Sequence, residues 1–158
     1  MIEDASLVFF SGGNPFALAE ALRGSSWWSR VVERLDDGLA FAGCSAGVSF
    51  LNDVTVDTTE MQLGNDPWKP GLGYLPDIRF GLHWDMVDRW FPGATSFIEG
   101  SLRPGETLVG IDESTAMVGD GMEWWVAGRS GVHVLREGSW AHHPTGEVFT
   151  LALSIASG

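Results

Sequence analysis

Five residues, Gly43-Cys44-Ser45-Ala46-Gly47, have the form Gly-Xaa-Ser-Xaa-Gly. Between a strand and a helix this is the pattern of a nucleophile elbow, in which a serine stands on a strained turn and strand and helix backbones approach too closely for large neighbours. Gly43, Ala46 and Gly47 are small enough, so Ser45 is the candidate nucleophile for acyl transfer. Cys44 is the rival, but its own frame is bracketed by Ala42 and Ala46 instead of glycines, and it is expected to be a buried neighbour. A serine hydroxyl needs a base, and the base needs an orienting carboxylate. The histidines available are His83, His133, His142 and His143. His83 stands at the end of the apolar run IRFGLHW just as a helical stretch, WDMVDRWF, begins. His133 falls within GVHVL, and His142 and His143 in a polar turn with Pro144. Asp53 and Asp57 are nearby carboxylates.

The elements that must position these groups are legible in the hydrophobic pattern. Ser6 to Phe10, SLVFF, reads as a buried strand stopped by the turn sequence SGGN. Asn14 followed by Pro15 is an N-cap with proline at the first helical position, and Phe16, Leu18, Ala19 and Leu22 continue at helical spacing. A second helix from Ser26 places Trp27, Val31, Val32 and Leu35 on one face. Leu39 to Ala42 is a short buried strand, then the elbow, then an apolar helical stretch from Val48 to Leu51. Asn52 to Arg79 reads as a long loop with short strands beside the site. From Glu106 onward, TLVGID, TAMVG, MEWWVAG, GVHVLREG and EVFTLAL read as strands, partly antiparallel. Alternating elements early and strands late indicate an α/β layered fold.

The chain has 158 residues, which points to one domain with a core of ordinary size. Nine Lys and Arg against 21 Asp and Glu give a net charge of −12, which repels phosphate backbones and disfavours nucleic acid as a partner. The single cysteine excludes an internal disulfide and Cys-rich zinc sites. No apolar stretch is long enough for a membrane span, and the first ten residues carry acids where a secretory signal carries positive charge, so a cytoplasmic location is expected. The eight tryptophans are expected in the core and pocket wall. His142 and His143, being adjacent, point in different directions and lack companion ligands, so no metal is expected.

SLVFFSGGNPFALAEAL, FAGCSAGVSFL, DTTEMQL, FGLHWD and LVGIDESTAMV, in that order, resemble the aspartyl dipeptidase (peptidase E) and cyanophycinase family of serine peptidases, within the class I glutamine amidotransferase-like superfamily. The resemblance implies a three-layer, flavodoxin-like α/β fold with a mostly parallel sheet and antiparallel C-terminal strands. It implies Ser45 as nucleophile, His83 as base and Glu60 as the third member, with Gly13 and Ala46 supplying the oxyanion-hole N–H groups. It also implies an aspartyl dipeptide or related small peptide as substrate and no cofactor. Asp112 and Glu113 of GIDE match the family's pattern and read as a strand-end hydrogen-bond network. Arg89 is favoured over Lys69 and Arg79 as the cation for the substrate carboxylate, and Asn14 is assigned to substrate binding. The chain starts almost at the strand ending in SGGN, so the family's first βα units are expected to be lacking. The sheet edge this leaves is expected to be covered by a second copy of the chain, making a homodimer, with the C-terminal strands folding over that side as the alternative. Two alternatives stand beside this reading. One is an α/β-hydrolase esterase using His133 or His142, and the other is an inactive relative serving as a binding or assembly module.

Overall fold

The computed structural model describes residues 2–59 and 66–156. The chain forms two compact units, Met1–Tyr74 and Leu75–Gly158.

In the first unit a 3-10 turn, Ile2–Asp4, precedes β1, Leu7–Phe10. Helices α1, Pro15–Leu22, and α2, Ser26–Asp36, then carry the chain back to β2, Ala40–Gly43. β1 and β2 pair in parallel, Leu7 opposite Ala40 and Phe10 opposite Gly43. The short helix α3, Ala46–Ser49, follows, then β3, Val54–Val56, which pairs antiparallel with β4, Trp68–Pro70. Asn14 caps α1 as its sequence suggests, its side-chain oxygen accepting from the amides of Phe16 and Ala17 at 3.0 and 3.2 Å. The core is aromatic. Phe10 packs against Phe50 at a centroid distance of 4.9 Å and against Trp28 at 6.1 Å, and Trp28 meets Phe50 at 5.7 Å.

Two expectations are corrected here. Trp28, not Trp27, shares the buried face of α2 with Val31, while Trp27 is 42% exposed. Trp27 and Trp28 stand four and three residues before Val31, both neighbour spacings on a helix, so the spacing alone does not choose between them and the packing of Trp28 on Phe10 and Phe50 does. β1 is buried on one side only: Val8 and Phe10 point into the core, but Leu7 and Phe9 are 54% and 60% exposed. A continuous apolar run reads as buried on both faces, whereas a strand's side chains alternate whatever their type.

The second unit opens with β5, Ile78–Leu82, followed by α4, Trp84–Trp90, and α5, Ala94–Gly100. The remaining strands are β6, Thr107–Ile111, β7, Thr115–Gly119, and β8, Glu123–Gly128. β9, Gly131–Arg136, β10, Ser139–Pro144, and β11, Val148–Thr150, complete the order. One sheet runs β10-β9-β6-β5 and the other β11-β8-β7. β5 and β6 are parallel, Leu82 opposite Ile111, with the two helices between them in sequence. A buried Arg79–Glu106 pair, with contacts of 2.8 to 3.0 Å, ties β5 to the start of β6.

Of the seven strand pairings among the described residues, β1–β2 and β5–β6 are parallel and five are antiparallel. The fold is therefore α/β with mixed sheets, where a mostly parallel sheet is expected from the sequence. His142 and His143 lie on β10, not in a turn, because six residues of that segment pair with β9. Trp90, Trp125 and Trp140 are 51%, 50% and 44% exposed, so the tryptophans do not all serve the core. No helix among the described residues is long and apolar enough to cross a membrane.

Candidate active site

The elbow is built by close backbone contact. A Cβ on Gly43 would lie 2.0 Å from the carbonyl oxygen of Gly47, and one on Gly47 would lie 2.0 Å from that of Phe10. Only glycine fits at either place, which lets β2 turn into α3 within two residues. Ser45 absorbs that turn with φ 53° and ψ −116°, a conformation that costs an L-residue about 1–3 kcal/mol and persists where the surroundings enforce it. Its side chain does not cap α3, and the serine is half-buried. Cys44, expected to be buried, is exposed. Ala46 is buried, and its N–H, the first of α3, has no intrahelical acceptor.

The SGGN loop lies against this serine. A Cβ on Gly12 would be 3.5 Å from Ser45 Cβ and 4.0 Å from Ser45 Oγ. Gly13 has φ 141°, which L side chains rarely adopt. Asn14, expected at the substrate, has its side chain taken up by the fold: besides capping α1, its Nδ2 donates to Asp57 Oδ1 at 2.7 Å. The same oxygen accepts from the Thr59 amide at 2.9 Å and from Thr59 Oγ1 at 2.6 Å. The Thr59 hydroxyl and amide, joined by Asn14 and the charge of Lys69, outweigh burial and hold the Asp57 carboxyl below its usual range.

In the second unit His83 follows β5 directly and caps α4 in the left-handed region, φ 57° and ψ 40°. Its Nδ1–H donates to Glu113 Oε1 at 2.6 Å. The Glu113 amide in turn donates to Asp85 Oδ1 at 2.8 Å, and the His83 ring packs against Trp90 at a centroid distance of 5.4 Å. The parallel register explains the meeting. Leu82 stands opposite Ile111, so the residues just beyond each, His83 and the Asp112–Glu113 pair, emerge from the same end of β5 and β6. The carboxyl ends of parallel strands are where α/β proteins commonly place their chemistry, and the strand register that brings Glu113 there leaves no mark in the sequence.

Asp112 does form the network expected of it. Its Oδ2 accepts from Ser130 Oγ at 2.6 Å and from the Gly131 amide at 3.2 Å, and His133 Nε2–H reaches both carboxylate oxygens at 3.1 Å. Burial pushes this carboxyl up, but the bonds from Ser130 and His133, the His133 charge and the Gly131 amide together leave it below its ordinary value. A carboxyl lowered in the folded state contributes stability that is complete above the unfolded aspartate value, about 3.9, and is lost as pH falls through the folded one. Asp112→Asn is therefore expected to be less stable than the parent at pH 7 by about 1–3 kcal/mol, with the gap closing towards pH 3. Urea midpoints at both pH values check this, and an equal gap at both would contradict it.

Glu60 lies outside the described residues. Arg89 is exposed in the last turn of α4. Arg79 is unsuited to a ligand because Glu106 and Ser101 Oγ, at 2.8 Å, hold it in the interior. Lys69 sits on β4 opposite Thr55. His133 is held by Asp112, and His143 Nδ1–H donates to Glu147 at 2.8 Å. Among the described residues no three metal-ligating side chains gather.

The fold is α/β, and the comparisons with known proteins give the family. The model of Peptidase family S51 matches residues 1–124, and the chain belongs to that family. It is 27% identical over 139 residues to a protein named Peptidase E from Streptomyces coelicolor (strain ATCC BAA-471 / A3(2) / M145), covering 88% of this chain and 49% of that one. The crystal structure of a peptidase from an acI-B1 Actinobacterium matches with a TM-score of 0.78 and 30% identity over 95% of this chain and 61% of its own. A putative Peptidase E from Listeria monocytogenes EGD-e shares the fold, with a TM-score of 0.55 and 16% identity over 92% of this chain and 62% of its own. The chain thus spans about half the length of the Streptomyces relative and about three-fifths of the two solved structures.

Proposed function

We propose that the chain is a serine peptidase in which Ser45 is the nucleophile, His83 the general base and Glu113 the orienting acid. The observation that carries this reading is the Ser45 backbone, bent to φ 53° between β2 and α3 with the glycine loop beside it. A serine held at such cost is accounted for by a reaction that needs its Oγ presented on a turn. Ser45 Oγ adds to the scissile carbonyl carbon while His83 Nε2 takes its proton, and the Gly13 and Ala46 N–H groups receive the oxyanion. Collapse breaks the C–N bond, and His83 returns the proton to the leaving amine. A water, deprotonated by His83, then splits the acyl-enzyme into the acid product and free Ser45. The fold that goes with this proposal is the three-layer, flavodoxin-like one of the glutamine amidotransferase-like superfamily, supported by two parallel pairs with helices between their strands.

The substrate class is an aspartyl dipeptide, with Arg89 as the cation offered to its carboxylate. Asp-Leu is expected to be cleaved and Leu-Leu spared; the reverse preference, or no cleavage of either, would overturn the assignment. The contact of 2.6 Å between His83 Nδ1 and Glu113 Oε1 supports Glu113 in the role that the resemblance gives to Glu60. Glu113→Gln is expected to lower kcat about 10^2 to 10^4-fold and Glu60→Gln by less than about tenfold. Steady-state kinetics of the two variants separate them, and the opposite ranking would return the acid to Glu60.

We also propose that a second copy covers the β1 face, since Leu7 and Phe9 stand 54% and 60% exposed on a two-stranded pair. Light scattering over a concentration series is expected to give a dimer. A monomer at every concentration would contradict this.

A further inference from the structure

We propose that Asp57 is a positioning residue for the oxyanion loop: by accepting from the Asn14 side chain it fixes the Gly12-Gly13-Asn14 segment against Ser45. This deepens the serine peptidase reading and rests on it.

Ser11, Gly12 and Gly13 are all exposed, and two consecutive glycines are the least restrained backbone a chain can offer. A loop of that composition donates usefully to an oxyanion only if it is held before the charge forms, because preorganisation is what gives such donors their value. Phe10 of β1 anchors its near end, through the bond from the Cys44 amide to the Phe10 carbonyl at 3.0 Å. The far end is anchored by the Asn14 side chain. The amides of Phe16 and Ala17 fix the Asn14 oxygen, so the amide plane is set and Nδ2 is aimed at Asp57 Oδ1, 2.7 Å away.

Asp57 is itself held. Thr59 supplies two further donors to the same oxygen, and the residue follows β3, which is paired with β4. Three donors converging on one carboxylate oxygen make a stiff bracket between the segment after β3 and the loop before α1. Neither Asp57 nor Asn14 has to touch a substrate for this to matter. If the Gly13 N–H drifts by about 1 Å, the loss in rate is on the order of a hundredfold, with little change in substrate binding.

The test pairs two substitutions. Asp57→Ala removes the acceptor, and Asp57→Asn keeps an oxygen able to accept from Asn14 and Thr59. The expected results with Asp-Leu are a kcat lowered about 10 to 100-fold in Asp57→Ala with KM within about twofold, and most of kcat recovered in Asp57→Asn. Affinity for an alkylboronic acid, which forms a tetrahedral adduct on a serine, should fall in Asp57→Ala by the same factor as kcat. Nitrogen-15 relaxation of the Gly12 and Gly13 amides, which needs no substrate, should show greater mobility in Asp57→Ala only. An active parent with an unimpaired Asp57→Ala, or a rate loss carried by KM alone, would overturn the role of Asp57 and leave the peptidase reading standing. A parent that cleaves no peptide and binds no boronate would overturn that reading, and the catalytic role of Asp57 with it.

Discussion

Alanine at Ser45 is expected to lower peptide hydrolysis by a factor on the order of 10^4 to 10^6 while leaving the fold intact. The nucleophile and its base act as a unit, so removing the hydroxyl removes the covalent route altogether. What is left is the small acceleration that oxyanion donors give to direct attack by water. Folding should survive because the side chain does not cap α3, and alanine can occupy the same turn at a cost no greater than serine already meets. Cys44→Ser should keep most of the activity even though Cys44 is exposed. The Cys44 frame lacks the flanking glycines, and Ser45 is the residue on the strained turn. Far-UV circular dichroism establishes folding and initial rates establish activity. An active Ser45→Ala with a dead Cys44→Ser would move the nucleophile one residue back.

Gly47→Ala should be severely damaging to the first unit. Its Cβ would sit 2.0 Å from the Phe10 carbonyl oxygen and 2.5 Å from the carbonyl carbon, contacts with backbone that no rotamer can relieve. Either α3 moves away from β1 or the elbow opens, and Phe10 anchors the aromatic core at the same point. A loss of about 3 kcal/mol or more is expected, at the upper end of what overpacking costs. Gly100→Ala is the control: among the described residues nothing beyond its chain neighbours and its own helix's backbone lies within 4 Å of a Cβ there, and alanine in a helix should be neutral or stabilising by about 0.5–1 kcal/mol. Denaturant unfolding of the two variants measures the contrast, and equal stability would mean that β1 and α3 are not in contact.

How far these features were legible depends on the physics behind each. The Ser45 elbow could be read because its glycines answer a local demand, two backbones crossing, that leaves a mark on neighbouring residues. The Asn14 cap could be read for the same reason: cap and first turn are adjacent in sequence. For Glu113 the sequence indicates only a strand-end hydrogen-bond network, since its meeting with His83 depends on the register of β5 on β6, 30 residues apart. Trp27 and Trp28 are neighbours on a helix, and the periodicity of α2 alone separates them poorly. β1 looked wholly buried because composition reports how apolar a strand is, not how many faces are covered. β10 looked like a turn because Pro144 and polar side chains suit one, yet an edge strand tolerates both.

The claim at the centre is that Ser45 is an activated nucleophile in this chain, and covalent labelling tests it without any assumption about substrate. The purified protein is treated with a fluorophosphonate, its intact mass is measured, and the modified peptide is sequenced. One adduct is expected, on Ser45, absent in Ser45→Ala, strongly slowed in His83→Ala and unaffected in Cys44→Ser. A folded chain that takes up no label at Ser45, or labels equally well without His83, would contradict the account.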